Sequence, residues 1–120
     1  MPCEQLRGDT VSLKLKRIVI FVQDLEKQAA YYRDRLGLPV LEEREGWYEF
    51  DAGGCSIALH RGSRNPRLDF ATAEPLDRLH GDLKARGVKL QEIKEDFLDR
   101  GHYCRGKDAE GNSFQISTGY

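Results

Sequence analysis

The sequence predicts an α+β fold: two βαβββ modules forming a curved, eight-stranded cup with pseudo-twofold symmetry and its helices on the outside. Three observations lead there. First, Asp108-Ala109-Glu110-Gly111-Asn112-Ser113 repeats the pattern of Asp51-Ala52-Gly53-Gly54-Cys55-Ser56, sharing Asp, Ala, Gly and Ser at an offset of 57. Second, an offset of 50 lays Arg17 on Arg67, Ile18 on Leu68, Ile20 on Phe70, Asp24 on Glu74 and Gly37 on Gly87. Third, each copy of the first pattern is a turn feeding an alternating stretch, Ile57-Ala58-Leu59 and Phe114-Gln115-Ile116. Asp opens such a turn and Gly tolerates its positive φ. A unit repeated at this spacing marks an internal duplication.

The elements follow in order. Residues 1–12 read as a leader without periodicity, and residues 13–62 as the first module. Leu13 to Val22 is a strand ending in the β-branched run Ile18-Val19-Ile20-Phe21-Val22. Asp24 is a suitable N-cap, and Leu25, Ala29, Tyr32 and Leu36 form the apolar stripe of a helix that Gly37 stops. Val40–Arg44, Trp47–Phe50 and Cys55–His60 are three short strands.

Residues 63–66 are a polar linker, and residues 67–120 repeat the order. Arg67–Thr72 is a strand. Pro75 sits at the first position of a helix whose buried stripe is Leu76, Leu79 and Leu83. Val88–Ile93, Tyr103–Lys107 and Ser113–Ser117 are the closing strands, and the charged stretch from Lys94 to Gly101 is a connection.

Bulk properties bound the function. The 120 residues suit one compact domain, and a formal net charge of −1 argues against nucleic-acid or membrane partners recruited by bulk charge. The longest apolar run, Ile18 to Val22, is far too short to span a bilayer, and residues 1–5 lack a signal-peptide core. Three cysteines, Cys3, Cys55 and Cys104, are an odd count without a CxxC pair, which suits free thiols in a cytoplasmic protein.

The doubled βαβββ unit resembles the vicinal oxygen chelate superfamily, which contains glyoxalase I, bleomycin-resistance proteins, fosfomycin-resistance enzymes and extradiol dioxygenases. The matching segments are Ile18 to Glu26, Tyr31-Tyr32-Arg33-Asp34-Arg35-Leu36-Gly37-Leu38 and Asp108-Ala109-Glu110-Gly111-Asn112. The last is similar to the family's Asp-Pro-Asp-Gly-Asn turn, with Ala109 and Glu110 as departures. The resemblance implies one divalent metal held by four side chains, which fall here on Arg17, Ala58, Arg67 and Gln115. Arginine and alanine donate no lone pair, so no metal and no other cofactor is expected. A shifted site using His60, Asp69 and Gln115 is the alternative, beside the plain reading of His60, His80 and His102 as half-exposed side chains.

Strand alternation then places Arg17 and Arg67 inside the cup with Asp69, Ser56, His60 and Gln115. If the residue three before each turn Asp also faces inward, Tyr48 and Arg105 join them. Convergent guanidiniums favour a carboxylate or phosphate ligand. The competing reading makes Arg17 and Arg67 strand-end residues paired with Asp69, Glu49 or solvent. Trp47 suits ligand stacking, an interface or core packing, and Cys104 beside His102 is a minor nucleophile candidate.

The resulting expectation is a metal-independent protein that binds an anionic small molecule and works as a homodimer. The other reading is a lyase, isomerase or thiol transferase with an atypical metal site. Arg67→Ala is expected to weaken an acidic ligand, and to barely affect folding if the residue points into solvent-filled space.

Overall fold

The computed structural model describes residues 13–96 and 101–118; the leader 1–12 lies outside them. The elements are β1 (Lys14–Val22), α1 (Leu25–Ala30), β2 (Val40–Arg44), β3 (Trp47–Asp51), β4 (Ser56–Arg61), β5 (Arg67–Thr72), α2 (Leu76–Ala85), β6 (Lys89–Leu90), β7 (Lys94–Asp96), β8 (Gly101–Lys107) and β9 (Ser113–Thr118). Where eight strands were expected, the strands form one nine-stranded sheet in the order β2-β3-β4-β1-β5-β9-β8-β6, with β7 added on β8. β7 is the extra element: Lys94-Glu95-Asp96 pairs with Tyr103-His102-Gly101, so its charged side chains do not prevent a ladder made by backbone groups.

The central pair, β1 and β5, runs antiparallel, with Arg17 opposite Asp69, Ile18 opposite Leu68 and Val19 opposite Arg67. Outward from this pair the two halves pair alike. Arg17 lies opposite Ser56 on parallel β4, and Arg67 lies opposite Ser113 on parallel β9. The registers therefore carry both sequence offsets (67 − 17 = 50 and 113 − 56 = 57).

Each half buries its helix on one face of the sheet. In the first, Leu25 and Ala29 of α1 pack with Val22, Tyr48, Phe50 and Leu59. In the second, Leu76, Leu79 and Leu83 of α2 pack with Cys104 and Ile116. Asp24 caps α1 as expected, its Oδ1 accepting from Lys27 N at 3.2 Å. The helix does not stay regular to Leu36: residues Tyr31–Arg35 widen into a π turn in which Leu36 N donates to Tyr31 O at 3.0 Å. Gly37 at φ 74° then ends it. Pro75 stands one residue earlier than expected, as the N-cap of α2 with an extended ψ of 124°. Among the described residues no helix is long and apolar enough to cross a membrane.

The two β-hairpins that close the halves differ by one residue. Asp51 pairs with Ser56 across four turn residues, whereas Lys107 pairs with Ser113 across five. In the longer turn Asp108 Oδ1 accepts from the amides of Glu110 and Asn112, both at 2.9 Å, and Gly111 takes φ 89°.

Candidate functional site

The face of the sheet away from the helices carries the charged cluster. β1 presents Arg17, Val19 and Phe21 there, and β5 presents Arg67 and Asp69, because successive side chains alternate between faces. The Asp69 carboxylate is fully buried and joins the two halves. Arg17 Nε donates to its Oδ2 at 2.8 Å, and Arg67 Nε donates to its Oδ1 at 2.7 Å, with Arg67 Nη2 to Oδ2 at 3.3 Å. Arg17 Nη1 also donates to Glu49 Oε1 at 3.2 Å, and the Ser56 hydroxyl donates to the same carboxylate. A buried carboxylate needs such partners, since its charge has no water to stabilise it.

Gln115, buried opposite Asp69 on β9, uses its side-chain oxygen to accept from Arg105 Nε at 2.9 Å. Arg105 also lies over the Tyr103 ring, 5.2 Å from its centroid. Among the described residues Arg105 makes no ion pair. Its pKa is pulled below the ordinary value, first by burial and next by the neighbouring Arg67 charge, yet a guanidinium stays cationic at neutral pH. His60 lies beside Trp47 and Phe21, at ring separations of 5.7 and 5.3 Å. A cavity of about 540 Å³ opens over this face, walled by Arg17, Trp47, His60, Arg67, Arg105 and Gln115 among others.

Seven of the eight residues singled out from sequence share this face; Tyr48 does not. It packs in the helix-side core, its hydroxyl donating to Glu43 at 2.9 Å and lying 3.3 Å from Glu26 on α1. The one-residue difference between the hairpins is the reason. Arg105 lies opposite Gln115, but its counterpart opposite Ala58 is Glu49. Counting back equally from both turn aspartates slips one strand by a residue, and such a slip moves every side chain to the other face. Glu49 was thus named in sequence only as one partner of an arginine. Alternation counted back from Ala58 across the four-residue turn would have placed it.

Trp47 turns out to be a wall residue. It is buried with Val19 and Ala58, lies against the Arg17 and Arg44 guanidiniums at 5.4 and 4.8 Å, and its indole N–H has no partner among the described residues. The Cys104–His102 pairing does not form. Cys104 is fully buried under α2, where desolvation pushes its thiol pKa up, while His102 is exposed.

A family model described as the Glyoxalase/Bleomycin resistance protein/Dioxygenase superfamily matches residues 14–116. The chain belongs to this superfamily. Solved structures similar to it agree in fold. A hypothetical protein from Bacillus halodurans C-125 is 17% identical, with 92% of this chain and 96% of that one covered and a TM-score of 0.75. Methylmalonyl-CoA epimerase from Mycobacterium tuberculosis is 19% identical, with 93% and 92% covered and a TM-score of 0.73. A superfamily member from Vibrio splendidus 12B01 is 14% identical, with 89% and 99% covered and a TM-score of 0.71.

The superfamily's metal position does not fit a cation here. Two of its four places are arginines that hold Asp69, one is Ala58, and the fourth, Gln115, has its oxygen on Arg105. Among the described residues no three His, Cys, Asp or Glu side chains come together as a ligand set. In the shifted set of His60, Asp69 and Gln115, the Asp69 oxygens accept from Arg17 and Arg67 and the Gln115 oxygen accepts from Arg105.

Proposed function

We propose that this chain is a small-molecule-binding member of the glyoxalase/bleomycin resistance superfamily, whose cup seats an organic anion and uses no metal at the family position. The cup is the helix-free face of two βαβββ modules, residues 13–62 and 67–120, hinged on the β1–β5 pair. The observation that carries the reading is Arg105. It is half-buried in the cavity wall, its one side-chain acceptor among the described residues is a neutral amide, and it stands beside Arg67. A carboxylate or phosphate placed there gains charge-assisted hydrogen bonds in a partly desolvated setting. Arg17 contributes as a fixed wall, since Asp69 and Glu49 already neutralise it.

A lyase, isomerase or thiol transferase with an atypical metal site is the competing reading. It needs a ligand set that the arginine–carboxylate network displaces. Homodimerisation is supported by β2, an edge strand exposed throughout, with Leu41, Val40, Leu36 and Tyr31 exposed around it. An unpaired edge is a template for a second copy, and twofold closure is the commonest arrangement. A cytoplasmic location rests on the free Cys55 and Cys104 thiols.

The test is a titration with benzoate followed by calorimetry, beside elemental analysis of untagged protein. Arg105→Ala is expected to weaken benzoate by about 1.5–3 kcal/mol, the scale of hydrogen bonds to a charged group. Equal affinity in the two proteins, or stoichiometric zinc, nickel, manganese or iron, overturns the reading.

A further inference from the structure

A second cavity, of about 660 Å³, adjoins the first and shares Phe21, Arg64, Arg67 and Arg105 with it. It is bounded by the last turn of α2, by β6 and by the facing ends of β8 and β9. Six cationic side chains line it: Arg64, Arg67, Lys84, Lys89, Arg105 and Lys107. No Asp or Glu does. In a chain of net charge −1 this is a local segregation of sign. Among the described residues only Arg67 of the six has an ion pair, with Asp69. Lys107 reaches no further than the Ser113 hydroxyl at 3.4 Å, and Arg64 lies 5.9 Å from the Phe21 ring centroid. The floor between the cations is apolar, formed by Val88, Leu90 and Phe114.

We propose that this second cavity holds the phosphate-bearing end of an extended organic anion whose other end occupies the cup. The inference rests on reading the cup as an organic-anion site and names the ligand class more closely. One carboxylate leaves most of these charges unopposed, whereas a phosphate ester or pyrophosphate brings two or more charges and several acceptor oxygens. Flexible lysine ammoniums suit such a group as point charges. The planar guanidiniums at the seam suit bidentate contact with a carboxylate or phosphate. The apolar floor accommodates the carbon skeleton between the two ends.

Inorganic pyrophosphate and benzoate serve as separate probes of the two ends, with calorimetry on the full chain. Lys89 and Lys107 are exposed, so the double variant Lys89→Gln/Lys107→Gln keeps the fold, and Lys27→Gln/Lys94→Gln removes the same charge away from both cavities. Pyrophosphate is expected to bind wild type and to lose at least tenfold in affinity in the first double variant but less than threefold in the second. Benzoate affinity is expected to hold in both. Pyrophosphate binding that is absent, or equal in the two double variants, overturns the phosphate site and leaves the cup reading intact. Benzoate that fails to bind wild type, with lysine-dependent pyrophosphate binding retained, overturns the cup reading and leaves the phosphate site standing alone.

Discussion

The two halves of the sheet have matching pairing registers and opposite electrostatics. In the first half, Arg17 is closed in by Glu49 and Asp69, and Glu49 in turn is held by Ser56. In the second, Arg105 stands where Glu49 stands, and the neighbouring wall is cationic, with no acid among its described residues. Asp69 belongs to the second half by sequence, yet it holds the arginines of both. The two halves thus share a pairing pattern while the side chains on the helix-free face form a neutralised cluster in one and a cationic wall in the other. Fold and site draw on different residues: helix-side positions hold the architecture, and the helix-free positions are at liberty to diverge.

The contrast breaks most readily at Asp69. Asp69→Ala leaves two partly buried guanidiniums facing one another across the β1–β5 pair, and Arg67 then has no acid. A loss of about 3 kcal/mol is expected, the low end for removing one partner of a buried pair because both arginines are 13% exposed. Urea denaturation measures it, and a loss below about 1 kcal/mol would show that the carboxylate does not couple the halves. The same geometry removes the condition on which Arg67→Ala would barely affect folding, because Arg67 does not point into solvent-filled space but supplies two of the three hydrogen bonds to Asp69.

Gly106 sharpens the comparison on the helix side. It lies opposite Phe114 as Phe50 lies opposite Ile57, so a buried Phe in one half answers to a glycine in the other. A Cβ at Gly106 would sit 2.5 Å from the Lys89 carbonyl and 2.8 Å from both Leu90 and Phe114. Gly106→Ala is expected to cost about 1–3 kcal/mol by displacing β6, as overpacking does. Unchanged thermal stability would mean that β6 is not seated on β8 as described.

The smallest expected effect lies in the pH dependence. Tyr48 corresponds by pairing to Cys104, and both are buried on the helix side. The hydrogen bond to Glu43, then burial, then the charge of Glu26 push the Tyr48 pKa up to about 12 from 10.0. Because the folded value lies above the unfolded one, its stabilisation is complete below pH 10 and is lost as the pH rises through 12. Tyr48→Phe should show a flatter loss of stability than wild type across that window. Parallel curves in denaturant melts would assign the hydroxyl no role.

Much of the fold was legible because two signals agreed. The offsets of 50 and 57 reappear as the pairings Arg17–Ser56 and Arg67–Ser113, and the Leu25–Ala29 and Leu76–Leu79–Leu83 stripes are buried. The misses have local causes. The turn aspartates Asp51 and Asp108 look equivalent, but five residues rather than four close the second hairpin, which sent Tyr48 to the wrong face. β7 is built from backbone pairing and leaves no apolar pattern to read. The partners of Arg17 lie 32 and 52 residues away, so the sequence offered Glu49 and Asp69 only as a competing reading beside the ligand one, and their pairing with Arg17 was decided when three strands were side by side. Arg105, placed by the same count that misplaced Tyr48, falls on the helix-free face because its hairpin is the longer one.

Trp47 gives this arrangement an optical consequence. It is the sole tryptophan of the chain, and it sits in the cavity wall with Arg17 and Arg44 against its ring and His60 edge-on. Indole emission responds to the charges and polarity around the ring, so the whole tryptophan fluorescence of the protein originates at this wall. Any molecule that draws Arg17 or Arg44 away, or excludes water beside the ring, changes the colour or brightness of that light. The protein thus carries its own occupancy signal, readable without a label and uncontaminated by any second indole.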